Sequence, residues 1–139
     1  MKKQLLLLML FLNFNLYAID FSQYKYVSVD ELKSYPSDYI GQNLFIKCRM
    51  SQYASIMERP DGRYSIQTEC LQKNTKFSTN TYDISIITNR ENINKLEGIK
   101  NKGLKFKAYG TLSWSDSYSF GQKSLFLTKN IEIEKDFFE

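Results

Sequence analysis

Cys48 and Cys70 are the only cysteines, and their wide spacing is nothing like the Cys-x-x-Cys of a redox-active pair. An even pair in an exported chain most often forms a structural disulfide, and that is the pairing expected here. With both sulfurs bridged, neither a thiolate nucleophile nor a thiolate metal ligand remains. Histidine is absent from the whole sequence. That removes the commonest general base, the Ser/His and Cys/His nucleophile systems and the ordinary zinc sites. The six glycines are scattered at turns and none belongs to a phosphate-cradling loop. Carboxylates remain, among them Asp30, Glu31, Glu58, Asp61, Asp83 and Asp116. An acid–base pair of carboxylates needs only spatial proximity, yet several of these have readings as cap or turn residues. The chain therefore reads as non-enzymatic, with no cofactor and no metal.

The first residues bear on where the chain works. Lys2 and Lys3 give a positive start, Leu5 to Leu12 is an unbroken apolar run, and Asn13 and Asn15 lead to the small Ala18. These are the three parts of a secretory signal. A retained membrane anchor is the alternative, but eight apolar residues fall well short of the roughly 20 that span a bilayer. Residues 1–18 are therefore expected to be a cleaved signal peptide and residues 19–139 a single domain, periplasmic and soluble, with no stable membrane insertion. No cysteine lies near the cut, which argues against a lipid anchor. Losing Lys2 and Lys3 lowers the formal net charge of +4 by two, so whole-chain basicity is a poor argument for nucleic-acid binding. Ten tyrosines and ten phenylalanines against two prolines suit a folded β-rich domain.

The pattern along the chain sets out the elements that would position any site. Ser28-Val29-Asp30-Glu31 has the form of a capping box and predicts a short helix that Pro36 ends. A first strand is expected over residues 42–53, with Leu44, Ile46, Cys48 and Met50 on one face and Phe45, Lys47 and Arg49 on the other. Pro60-Asp61-Gly62 signals a turn into a second strand over 63–70. These two strands read as a hairpin, and a bridge between Cys48 and Cys70 requires that hairpin to be irregular. A third strand is expected over 82–87, then a second capping box at Thr88-Asn89-Arg90-Glu91 and a helix with Ile93 and Leu96 inward. A fourth strand over 104–114 and a fifth over 124–133 follow. In the fourth, Leu104, Phe106, Ala108, Leu112 and Trp114 share the inward face.

Three strands, a short helix, then two strands is the order of an OB-fold, a five-stranded, partly open Greek-key barrel. The segment from Val29 to Leu32 and the run Pro36-Ser37-Asp38-Tyr39-Ile40-Gly41 resemble the lead-in of small exported bacterial OB-fold proteins. The expected fold is accordingly mainly β: a five-stranded OB-like barrel with a helix before it and another between strands three and four. A small β-sandwich is the rival, and the capped helix argues against it. The resemblance implies a habit of binding rather than an activity. In OB-folds the ligand crosses strands two and three, flanked by the loops joining strands one to two and four to five. Carried onto this sequence, that face takes in Arg49, Tyr53, Arg63, Ser65 and Gln67, with Asp83 and Ser85 beside them. The last loop adds Tyr118 and Phe120, and Trp114 has both a binding and a core reading. Aromatic rings interspersed with serines suit sugars or unpaired bases.

Lys95, Lys100, Lys102, Lys105 and Lys107 are the densest basic cluster. They could meet phosphate, lipid headgroups or an acidic partner. The plainer and preferred reading is a lysine-guarded strand that discourages edge pairing. Three functions stay open on the sequence. The first is a non-enzymatic periplasmic binding module for an oligosaccharide, a peptide or a small charged ligand. The second is a structural or assembly protein of the cell envelope acting on another envelope protein. The third is nucleic-acid binding, which the near-neutral exported chain argues against.

Overall fold

The computed structural model of the chain describes residues 20–78, 84–98, 103–115 and 124–134. It is mainly β with two helices. The elements in order are β1 (Lys25–Tyr26), α1 (Val29–Ser34), β2 (Leu44–Arg49), β3 (Ser55–Glu58), β4 (Tyr64–Gln67) and β5 (Glu69–Cys70). Then come β6 (Ser85–Thr88), α2 (Arg90–Glu97), β7 (Lys105–Trp114) and β8 (Ser124–Ile133). Among the described residues no helix is long and apolar enough to cross a membrane.

The ladder runs β1-β2-β7-β8-β6-β4-β3, with β5 off that path and paired to β2. This corrects the expectation of a five-stranded barrel: among the described residues, eight strands form an open mixed sheet. The departure begins at the turn Pro60-Asp61-Gly62, where Gly62 adopts a φ of 83°. That turn joins β4 to its nearest neighbour, β3, with Ser55 opposite Gln67 and Glu58 opposite Tyr64. The strand carrying Cys48 is therefore not the hairpin partner of β4. Of the segment that follows the turn, it pairs instead with β5, where Cys48 lies opposite Cys70 and Arg49 opposite Glu69. The two cysteines are joined in a disulfide. Thr68 separates β4 from β5, and its hydroxyl donates to the carbonyl of Arg49. The hairpin expected to be irregular is thus interrupted twice, by β3 and by the break at Thr68.

Alternation explains how the sheet divides into faces. Ile56, Ile66, Ile86, Phe126 and Leu112 are cross-strand neighbours in one unbroken row from β3 to β7. The last four are essentially inaccessible. A second inward row, Cys48, Phe106 and Ile133, and a third, Ile46, Ala108 and Ile131, continue the core across β2, β7 and β8. Val29 and Leu32 of α1, and Ile93 and Leu96 of α2, pack on the same cluster. The register shifts between Tyr109 and Gly110. A side chain at Gly110 would place its Cβ 2.0 Å from the carbonyl oxygen of Leu127, so only glycine lets β8 approach there. Trp114, in phase with the core, instead lies at the end of β7 with 36% of its surface exposed.

The helices keep the expected positions but not the expected caps. Ser28 stands at the start of α1 without a side-chain capping bond. Glu31 does not reach back to it but accepts a hydrogen bond from the Tyr39 hydroxyl. That bond, chiefly, holds the Glu31 carboxyl below its ordinary range and raises the Tyr39 phenol. At α2 the cap is Asn89 rather than Thr88, its Oδ1 accepting from the backbone N–H of Asn92 at 3.0 Å. Asn92 is itself buried and ties the helix to the sheet. Its Nδ2 donates to Thr88 Oγ1 at 2.8 Å, and its Oδ1 accepts from the Ile131 N–H at 3.1 Å. Asn92→Ala should leave that buried N–H without its partner, a loss of about 1–3 kcal/mol. A urea melt monitored by circular dichroism checks this. A midpoint equal to that of the parent would show that α2 is held by Ile93 and Leu96 alone.

Candidate functional site

The outward counterpart of the core row is Met57, Ser65, Ile87, Leu127 and Thr111, again cross-strand neighbours from β3 through β4, β6 and β8 to β7. Direct cross-strand neighbours share a face, so this row is a continuous strip. Beside it opens a groove of about 460 Å³ lined by Arg63, Ile87, Thr88, Asn89, Leu127 and Lys129, among others. Its floor is aliphatic, while Arg63, Asn89 and Lys129 supply hydrogen-bond donors at the margin.

Arg63 is placed by the turn that precedes it. Asp61 Oδ1 accepts from the Arg63 backbone N–H at 3.0 Å, and Asp61 Oδ2 accepts from the guanidinium Nη2 at 2.8 Å and Nε at 3.1 Å. Chiefly through the Arg63 side chain, the Asp61 carboxyl is held down at about 2, so the pair stays ionised at any physiological pH. The guanidinium is therefore oriented before any ligand arrives, while remaining exposed. Such an arrangement can receive a carboxylate, a phosphate or sugar hydroxyls.

Other expected site residues are distributed as follows. Ser65 and Gln67 alternate with the buried Tyr64 and Ile66 and are half-buried on the outward face of β4. Ser85 lies opposite Leu125 on β6. Tyr53 is 69% exposed, in the turn between β2 and β3. Arg49 is engaged elsewhere: its Nε donates to Glu69 Oε2 at 2.6 Å, and its guanidinium lies 4.6 Å from the ring centroid of Phe77. It is thus not among the residues lining the groove beside Arg63. Asp83, Tyr118 and Phe120 lie outside the described residues.

No protein-family model and no curated protein matches this sequence.

The lysine cluster does not hold together as one patch. Lys95 donates to Asn130 Oδ1 at 3.0 Å and to the Ile131 carbonyl at 3.2 Å, and so helps fasten α2. Lys100 and Lys102 lie outside the described residues. Lys105 and Lys107 project from β7, which lies between β2 and β8 and is not an edge. The edge-guarding reading therefore does not apply to them.

Sequence reasoning placed Lys105 and Lys107 outward but missed what they face. Lys107 lies opposite Lys47 and Lys105 opposite Arg49. The alternation of Phe45, Lys47 and Arg49 with that of Lys105, Lys107 and Tyr109 was the available signal. Only the β2–β7 pairing, which joins segments far apart in the chain, brings the two together.

Proposed function

We propose that this is a non-enzymatic, OB-like binding module of the bacterial periplasm, with its ligand lying across the outward face of β4 and β6. The groove beside Arg63 carries this reading. An aliphatic floor with a pre-oriented guanidinium at its rim is a binding arrangement, and the residues around it offer no nucleophile–base pair.

The connectivity supports the OB-like part. In chain order, β2, the β4–β5 segment, β6, α2, β7 and β8 follow the OB sequence of elements. The β6–β8 pairing is parallel. The β4–β5 segment pairs with β6 through β4 and with β2 through β5. β3 is then an addition to the plan. The bridged cysteines fit an oxidising compartment such as the periplasm. By the OB analogy, Tyr118 and Phe120, which follow β7 in the chain, are the stacking residues of this reading. The class of ligand is an oligosaccharide, a peptide segment or a small charged molecule.

An assembly role in the envelope is the second reading. Tyr53 and Met57, 69% and 60% exposed, favour it, because large apolar side chains in the open suit a protein partner. Capture from an envelope fraction, followed by affinity measurements on Arg63→Ala and Tyr118→Ala, tests both. Each variant should weaken the captured ligand roughly tenfold, since stacking on one ring is worth about 1–3 kcal/mol. Neither should move the thermal midpoint much, because surface truncations shift stability by about 0.5 kcal/mol. Normal binding by both would move the site off this face. Loss of binding on changing Tyr53 and Met57 alone would favour the assembly role.

A further inference from the structure

The outward face of β2 and β7 is built unlike any other part of the sheet. Lys47 lies directly opposite Lys107, and Arg49 directly opposite Lys105, in two successive cross-strand pairs. Like charges so placed destabilise a sheet, and these strands are not edges that need guarding. Arg49 is balanced by Glu69. Among the described residues, Lys47, Lys105 and Lys107 make no ion pair with a carboxylate. Glu132 lies opposite Lys107 without forming an ion pair with it, and burial, then the charges of Glu132 and Glu134, raise the Tyr109 phenol above its ordinary range.

Each cation rests on an aromatic ring. Lys47 Nζ is 5.4 Å from the Tyr26 centroid and Lys107 Nζ is 5.7 Å from that of Phe45. Lys105 Nζ, at 5.7 Å, shares the Phe77 ring with Arg49. The rings fix the positions of the charges. On the sides where these cations sit, the rings meet charge rather than a stacking sugar or base. What the surface can read is negative charge and its spacing.

We infer that this face docks an extended acidic segment of a partner polypeptide. Along each strand the cations recur every second residue, roughly 6.6–6.8 Å apart. The side chains on one face of an extended peptide recur with the same period, so carboxylates at alternate positions would meet Lys47 and Arg49, or Lys107 and Lys105, in register. Glu132 and Glu134, on the β8 side, would repel the segment from that side and keep it over β2 and β7. This face is separate from the groove beside Arg63 and does not depend on the function proposed for it.

Fluorescence anisotropy on the exported chain with a labelled peptide of alternating glutamate and threonine tests the assignment. The same peptide with glutamine for glutamate, and a peptide of equal composition with its glutamates in one block, are the comparisons. The alternating peptide should bind roughly tenfold more tightly than the glutamine peptide, weakening as salt is raised. Lys47→Gln combined with Lys107→Gln should lose that advantage while melting no lower than the parent, since a repulsive pair has been removed. Equal affinity for the glutamine peptide, or unchanged binding by the double variant, overturns the proposal. Equal affinity for the block peptide overturns the matching of register. Tighter binding to anionic phospholipid vesicles or to oligothymidylate than to any peptide overturns it in favour of those surfaces. Should the double variant fail to fold, Lys107→Arg and Lys107→Gln are compared, and equal affinities again overturn it.

Discussion

Phe106→Ala should destabilise the domain by about 3–5 kcal/mol, the range for deleting a large buried aromatic from a core. Phe106 has no accessible surface and lies between Cys48 on β2 and Ile133 on β8. Both neighbours are fixed, one by a disulfide and the other by the β7–β8 ladder, so the walls have little freedom to collapse into the space left behind. A cavity that cannot relax keeps its full penalty. The flanking positions supply the contrast, because Lys105 and Lys107 face the other way and their truncation should remain within about 0.5 kcal/mol. Urea unfolding of the three variants checks this, with m-values close to the parent's showing that the same surface is exposed in each. If Phe106→Ala shifted the midpoint no more than Lys107→Ala, the phase of β7 would be wrong by one residue.

That phase is one of the features the sequence made legible, and the reason is local. Over 104–114 and 124–133 the alternation is long and regular, and β7 and β8 fall at Lys105–Trp114 and Ser124–Ile133. The helix after Asn89 was legible because its inward pair, Ile93 and Leu96, recurs at helical spacing. Pairing was harder to read than strands. Gln42–Tyr53 was expected to return through Pro60-Asp61-Gly62, but the turn took the nearer partner, Ser55–Glu58, whose four residues match Tyr64–Gln67 in length. Ser55-Ile56-Met57-Glu58 has no strong strand composition of its own, so only the turn could have announced it. The caps failed for a related reason: Glu31 had two possible partners, and the Tyr39 hydroxyl, eight residues on, won over the backbone N–H of Ser28. The groove around Arg63 draws on three strands and on the turn that leads into a fourth, and the basic face joins residues about sixty positions apart. Register across such distances is set by the whole sheet, and no window of sequence contains it.

Replacing Cys48 and Cys70 together by alanine should lower stability by about 3 kcal/mol, the loop-closure value for a bridge of this span. The reason lies in the topology as much as in the unfolded chain. β5 contributes only two residue pairs to β2, Cys48 with Cys70 and Arg49 with Glu69. The ladder otherwise connects β4 to β2 only the long way round, through β6, β8 and β7. The bridge therefore fixes the one short contact between the β3–β4 hairpin and the strand that carries the basic face. Without it, the Arg49–Glu69 pair must hold that contact, aided by the Thr68 hydroxyl on the Arg49 carbonyl and by the Leu71 N–H on the Lys47 carbonyl at 2.7 Å. These are individually weak, and Arg49 is substantially exposed. The change should act on stability far more than on any ligand held beside Arg63, because neither sulfur lines that groove. Urea melts of the parent, the parent kept reduced, and the double alanine variant separate the contributions: the last two should agree with each other and fall below the first. Thiol labelling of native and unfolded protein made under oxidising conditions accompanies them. Two reactive thiols in oxidised, folded material, with all three melts coincident, would show that the cysteines pack side by side without joining.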